Sequence, residues 1–271
     1  MSGNTESFRD HVVIVTGASH GIGAHVATQL AEQGAKLVLA ARRAVELEQT
    51  AAACRATGAE ALAVPTDVTS DAECARLIAA TIAKFGRIDM LVNNAGLGMW
   101  SRVDAVHDRT IFERVMQVNY FGAVYCTVHA LPHLKQSRGR IVCVSSLAGR
   151  TGVPLRSGYA ASKHAMAGFF DSLRIELADS GVTVTIVNPG FVGTGTQGRN
   201  LGADGAAIGV STVNAAAVMT PEACAQITVA AGAARRRAVT ITARGKLVLW
   251  VTVFASALVD RIAATASAPG T

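Results

Sequence analysis

The chain has few cysteines, and they are not arranged in pairs. Cys54, Cys74, Cys126, Cys143 and Cys224 are odd in number and scattered, with no Cys-x-x-Cys spacing. This excludes a disulfide framework and fits reduced thiols packed as small core residues in a cytoplasmic protein. Long apolar runs are also missing. The longest, Leu247 to Val259, is thirteen residues broken by Thr252 and Ser256, short of the roughly twenty needed to span a bilayer. Residues Met1 to Asp10 are mostly polar, so no cleaved leader is expected and residues 1–8 are expected to be flexible. Internal repeats and dividing linkers are absent as well. One α/β domain covering all 271 residues is the expectation.

Charge narrows the partners only a little. Lys and Arg outnumber Asp and Glu by 25 to 19, a net charge of +6. Such a balance suits an anionic cofactor, a nucleic acid or a membrane surface. Arg235-Arg236-Arg237 is the densest basic run, but no second basic cluster or aromatic platform accompanies it. It reads as a set of cations complementing the end of a helix, and no nucleic acid is expected. His129 and His133 are spaced four apart but lack a His-Glu-x-x-His pattern, and Pro132 lies between them. No metal site is expected there.

Val12-Val13-Ile14-Val15 is an apolar, β-branched run typical of a strand buried on both faces of a parallel sheet. Thr16-Gly17-Ala18-Ser19-His20-Gly21-Ile22-Gly23 follows immediately. Glycines at these places let a strand turn sharply into a helix, so that backbone N–H groups and the helix's positive end can meet a pyrophosphate. A plain tight turn would use the same residues. Further on, Tyr159 and Lys163 stand four apart within Tyr-Ala-Ala-Ser-Lys, which puts them one turn apart on one helix face. A free phenol has a pKa of about 10, and a fixed positive neighbour moves it toward the range where it can trade protons near neutrality. Ser146 lies thirteen residues before Tyr159, just past the apolar run Arg140 to Val144, where its hydroxyl can hold a carbonyl or alcohol oxygen. Taken alone, the Tyr-Lys spacing also describes two solvated side chains. Its order relative to the glycine turn gives it weight.

Together the Gly-x-x-x-Gly-x-Gly turn and Ser146, Tyr159 and Lys163 resemble the short-chain dehydrogenase/reductase family in its single-domain Rossmann-fold branch, from about His11 to about Thr196. The resemblance implies an NAD(P)-dependent enzyme acting on CH–OH groups. It implies that Ser146, Tyr159, Lys163 and Asn119 carry the chemistry, with Asn119 holding a water that links the lysine to solvent. It also implies that Gly17, Ser19, His20, Gly21, Ile22 and Gly23 cradle the cofactor's phosphates and that Asp67 and Val68 meet its adenine edge. Asn93-Asn94-Ala95-Gly96 matches a family signature in which Asn93 is structural and Asn94, Ala95 and Gly96 let the cofactor approach. Pro189 and Gly190 would shape the nicotinamide pocket, Val192 and Thr194 would hold the carboxamide, and Tyr159 and Lys163 would also touch the cofactor.

Cofactor choice is read at the end of the second strand, Lys36 to Ala41. A carboxylate there would accept from the adenosine ribose 2′-hydroxyl, but this chain continues with Arg42 and Arg43. Two cations just before a helix oppose its dipole and suit an anion, the 2′-phosphate of NADPH, with Arg42 the more direct partner. NADP(H) is therefore favoured over NAD(H), although a solvated charged turn would also accommodate two arginines.

Seven candidate strands alternating with helices imply a doubly wound, mostly parallel seven-stranded sheet with helices on both faces. Ile111 to His133 reads as one helix, and the catalytic helix is expected from Tyr159 to Asp179. The Gly- and Ala-rich segment 193–217 is expected to be mobile over the substrate. The apolar helix of residues 246–264 reads as a roof over the pocket, a subunit contact or, more demandingly, a peripheral membrane contact anchored by Trp250. Met99, Trp100, Leu147, Leu155 and Phe191 suggest an apolar pocket for a small apolar carbonyl or alcohol substrate. By resemblance, the protein is expected to assemble as a dimer or tetramer.

Overall fold

The structure is a computed structural model that describes residues 8–193, 199–209 and 218–266. Seven strands run in the order β3-β2-β1-β4-β5-β6-β7, and every neighbouring pair is parallel. They are β1 (Val12–Thr16), β2 (Lys36–Ala41), β3 (Ala61–Pro65), β4 (Met90–Asn93), β5 (Arg140–Val144), β6 (Thr183–Asn188) and β7 (Ala238–Thr240). The chain winds outward from β1 to β3, then crosses back to place β4 on the other side of β1. A parallel sheet opens at this reversal, and a ligand cleft forms beyond its strand ends.

Alternation along β1 explains why both faces need cover. Val13 and Val15 point into one core with Leu37, Leu39, Met90 and Val92, closed by α1 (Gly21–Glu32), α2 (Ala44–Ala56) and α7 (Pro221–Ala233). Ile14 points the other way, with Val38, Leu91 and Ile141, into a core closed by α3 (Asp71–Phe85), α5 (Gly122–Ser137) and α6 (Ser157–Glu176). Residues of both kinds are fully buried, and cutting one such side chain back to Ala costs about 2–5 kcal/mol. Helix ends follow local chemistry. Ser70 accepts from the Glu73 N–H at 3.3 Å ahead of α3, and Thr220 accepts from the Ala223 N–H at 3.2 Å, with Pro221 opening α7.

The expected long helix from Ile111 is interrupted. Helix α4 (Thr110–Met116) passes into a π turn, Gln117–Phe121, before α5 continues through Pro132 to Ser137. Helix α6 begins at Ser157 and ends at Glu176, earlier at both ends than expected. The last helix, α8 (Ala243–Ala266), has a non-helical backbone at Ala255, and its stretches Gly245–Thr252 and Phe254–Ala264 are bent by 115° from a straight line. Among the described residues no single helix is long and apolar enough to cross a membrane. Leu247, Trp250, Phe254 and Ile262 are exposed on α8.

Three expectations need correction or limits. Arg235 does not serve the end of α7. Its guanidinium donates to the carbonyls of Arg138 at 2.9 Å and Gly181 at 3.2 Å, pinning the loops below β5 and β6. Met99 is not a pocket wall, because it is fully buried with Ile111, Val115 and Leu201. Of the expected mobile segment, residues 194–198 and 210–217 lie outside the described residues, as do Thr194 and residues 1–7 of the amino terminus.

Candidate active site

Strand β5 delivers Ser145 and Ser146 to the open edge of the sheet. Ser146 caps a short 3₁₀ turn, Leu147–Gly149, and its Oγ accepts from the Ala148 N–H at 3.1 Å. Ser145 Oγ is buried and has no partner among the described residues. Helix α6 rises beside them and presents Tyr159 and Lys163 from adjacent turns. Both serines, Tyr159 and Lys163 line one cavity of about 210 Å³.

Lys163 is 3 % exposed, and its Nζ donates to the Val144 carbonyl at 2.9 Å and stands 5.9 Å from the centre of the Tyr159 ring. Burial pushes its ammonium below the ordinary lysine pKa, while Tyr159 and Cys143 pull the other way. The amine is held where a strand-end carbonyl, the phenol and the cavity meet.

Asn119 lies in the π turn and is fully buried. A π turn breaks the regular ladder and re-aims a side chain. Asn119 Oδ1 accepts from the Leu97 N–H at 2.7 Å, and Nδ2 donates to the Leu97 carbonyl at 2.9 Å and to Ser162 Oγ at 2.8 Å. Ser162 Oγ in turn donates to the Tyr159 carbonyl at 2.7 Å. These bonds use both amide hydrogens and the oxygen, so the side chain ties the loop after β4 to the catalytic helix.

The glycine turn is built by close backbone packing. Gly17 has φ +66°, a left-handed backbone, and a Cβ there would meet Ala95 Cα at 2.8 Å. A Cβ on Gly23 would lie 2.4 Å from the Gly17 carbonyl oxygen. Asn94 Nδ2 donates to the Thr16 and Gly17 carbonyls at 2.9 and 3.2 Å, and Thr16 Oγ1 accepts from the Asn94 and Ala95 N–H groups. Strand ends β1 and β4 are thereby zipped together under the cleft. Asn93 is buried in β4 and donates to Thr127 Oγ1 at 2.9 Å, which is a structural contact.

The cavity runs into a larger cleft of about 1080 Å³ through shared walls at Gly17, His20, Gly96 and Asn200. Gly21, Ile22, Asn94, Pro189, Gly190 and Val192 face the smaller part, and Ser19, Arg42, Arg43, Asp67, Val68 and Ala95 the larger. Gly23 and Asn119 support the wall from behind. Asp67 also organises its own turn, where Oδ1 accepts from the Thr69 N–H at 3.0 Å.

Cations gather at the far end of the larger cleft. Arg43 Nη2 stands 2.8 Å from His20 Nδ1, and Arg199 Nη1 stands 3.1 Å from His20 Nε2. Burial, then Arg199 and Arg43, lower the His20 pKa to about 4. Glu46 pairs with Arg43 at 2.8 Å, whereas Arg42 is exposed and has no ion pair among the described residues. Arg199 was not identified from sequence, because a loop far along the chain brings it in. His129, once weighed as a metal ligand, pairs with Asp71 at 2.8 Å instead, and no group of three metal-binding side chains occurs among the described residues.

These residues fit a dinucleotide. A glycine-rich turn at a helix start, an elongated cleft and cations at one end match a phosphate-bearing ligand, and the chain's donors match its acceptors.

Comparisons with known proteins agree. A family model described as short chain dehydrogenase matches residues 11–204. The 11-beta-hydroxysteroid dehydrogenase-like 4A of Arabidopsis thaliana is 43% identical over 198 residues, covering 73% of this chain and 66% of that protein. The 11-beta-hydroxysteroid dehydrogenase A of Sesamum indicum is 41% identical over 197 residues, covering 72% of this chain and 56% of that protein. The match thus spans less than two thirds of these relatives. A short chain dehydrogenase/reductase from Burkholderia phymatum, solved in complex with NAD, superposes with a TM-score of 0.82 at 25% identity, covering 93% of this chain and 96% of that one. An alcohol dehydrogenase from Thermococcus sibiricus, complexed with 5-hydroxy-NADP, shares the fold with a TM-score of 0.75 at 24% identity, covering 86% and 96%. With its parallel sheet, glycine turn and Tyr-Lys helix, the chain belongs to the short-chain dehydrogenase/reductase family of oxidoreductases.

Proposed function

We propose that this chain reduces a ketone or aldehyde to an alcohol with NADPH, and runs the reverse oxidation by the same path. The observation that carries the reading is the continuity of one cleft from Ser146, Tyr159 and Lys163 to the cations Arg42, Arg43 and Arg199. When bound, the dinucleotide supplies the hydride that becomes the new C–H bond. Ser146 holds the substrate oxygen by its hydroxyl. Tyr159 gives its proton to that oxygen as the C=O bond becomes C–O. The buried Lys163 ammonium, 5.9 Å from the centre of the ring, would stabilise the phenolate charge that then develops. Asn119 fixes the height of the tyrosine's helix turn, and a water held beside it would pass a proton toward Lys163 for reprotonation.

Arg42 is the direct partner of the 2′-phosphate, with Arg43 and Arg199 flanking it. The relatives' names point to hydroxysteroids, and Leu97, Phe191 and Val192 give the cavity wall an apolar side suited to such a body. An oxidative, NAD-using enzyme is the second reading, favoured by the NAD bound to the Burkholderia phymatum protein. A carbonyl panel followed by loss of NADPH absorbance tests the proposal. Tyr159→Phe should bind NADPH within about threefold of wild type yet lose on the order of 1,000-fold in turnover. Unchanged turnover would remove Tyr159 as the proton donor, and a lower KM for NADH than for NADPH would favour the second reading.

A further inference from the structure

Arg156 lines the cavity beside Tyr159, three residues before it in sequence, and no ion pair holds its charge among the described residues. Its guanidinium carbon lies 4.7 Å from the centre of the Tyr159 ring and 5.3 Å from those of Trp100 and Phe191. Its Nε is buried with no hydrogen-bond acceptor, and no carboxylate pairs with it among the described residues. Beside it lie Gly98 and Asn200: a Cβ added to Gly98 would come within 3.6 Å of Arg156 Nη2 and 1.9 Å of Asn200 Oδ1. Aromatic faces attract a cation but accept little from its five N–H donors.

Two further features make this placement unfavourable for the protein alone. Arg156 is the residue at the amino end of the 20-residue helix α6, where the helix dipole repels a cation. Leu155, just before it, has φ +66°, a left-handed conformation costly for a branched side chain. The loop holds that strain with the Ser101 N–H donating to the Leu155 carbonyl at 2.9 Å. Burial lowers the Arg156 pKa from its ordinary value, opposed by Tyr159. A dipole-opposed guanidinium on a strained loop at a reactive cavity, its Nε buried without an acceptor, is accounted for when a ligand supplies the missing acceptor. None of the described residues lining this cavity is Asp or Glu, and Arg156 and Lys163 both make it positive.

Resting on the reductase reading above, we propose that the substrate is an oxo acid, a carbonyl compound with an apolar body and a carboxylate that pairs with the Arg156 guanidinium while its carbonyl oxygen meets Tyr159. A carboxylate matches the planar fork of arginine with two parallel hydrogen bonds. The aromatic rings of Trp100 and Phe191 would shield that pair from water. A neutral ketone of the same shape would leave the guanidinium unpaired and bind more weakly.

The test uses the full chain with NADPH and a series of aryl oxo acids of increasing spacer length, each alongside its methyl ester. The best acid should exceed its own ester by on the order of 100-fold in kcat/KM, mostly through KM. Arg156→Met should bring that ratio to about one, and Arg156→Lys should keep roughly a tenth of it. The ratio is immune to a uniform loss of activity. Should the methionine variant fail to fold, as judged by its melting transition, the wild-type ratio and the lysine variant decide. Equal use of acid and ester by the wild type overturns the carboxylate while sparing the reductase. An acid preference that survives Arg156→Met, including with weakened NADPH binding, overturns the role of Arg156. Turnover of neither acid nor ester overturns both readings.

Discussion

The two ends of the cleft are built on opposite plans. At the Tyr159 end the buried Lys163 and Asn119 are committed to the fold. Lys163 is tied to Val144, and both amide hydrogens and the oxygen of Asn119 are engaged by Leu97 and Ser162. At the far end Arg42 is exposed without an ion pair among the described residues, and two cations, Arg43 and Arg199, crowd His20. A reacting centre needs atoms held within tenths of an ångström, so the fold spends its hydrogen bonds there. A recognition site needs donors left over for the ligand. Arg156 is of the second kind although it sits at the first end, which is why it stands out.

Substitutions should separate the two plans. The largest effect is expected at the committed end. Lys163→Met should lower turnover on the order of 1,000-fold, as single-turnover kinetics would measure, and a loss below about tenfold would mean that the ammonium is not needed. Next is Arg42→Ala, which should raise the KM for NADPH about 10- to 30-fold with NADH little affected. Equal losses with both coenzymes would detach Arg42 from the phosphate. Asn119→Ala should cost about 2–3 kcal/mol, because the buried Leu97 N–H and carbonyl lose their partner. A denaturant midpoint close to wild type would show that the loop after β4 finds other bonds.

The smallest effect concerns pH and belongs to the open end. His20 has a folded pKa of about 4 against 6.5 ordinarily. Above pH 6.5 it is neutral folded or unfolded and contributes nothing to pH dependence. As pH falls from 6.5 toward 4, only the unfolded chain takes up the proton, so stability declines across that window. The side chain is half exposed, which keeps the decline to about 1 kcal/mol or less. His20→Asn should flatten that part of the melting-temperature profile, and an unchanged slope would assign the decline to other groups.

Much of the molecule could be read from sequence because its signals are local. β-branched runs gave β1 and β6, the glycine spacing gave the turn into α1, and Tyr159 with Lys163 gave the face of α6. The π turn at Gln117–Phe121 could not be read, since apolar spacing hardly distinguishes one extra residue in a long helix from none. The resemblance has Asn119 hold a water with both main chain and side chain, and in the π turn that side chain is bonded to Leu97 and Ser162. Arg199 and Arg156 were missed for another reason. Their meaning depends on what surrounds them in space: His20 is 179 residues away from Arg199 in sequence, and the rings about Arg156 come from separate loops. Cation clusters formed by chain closure leave no periodic trace.

Hydride transfer to a carbonyl carbon beside Tyr159 can be followed atom by atom. NADPH carrying deuterium at both positions of nicotinamide C4, incubated with the purified chain and a ketone that it consumes, should yield an alcohol heavier by one deuterium at the former carbonyl carbon. An alcohol without deuterium, or coenzyme that is never consumed with any ketone or aldehyde, would contradict it.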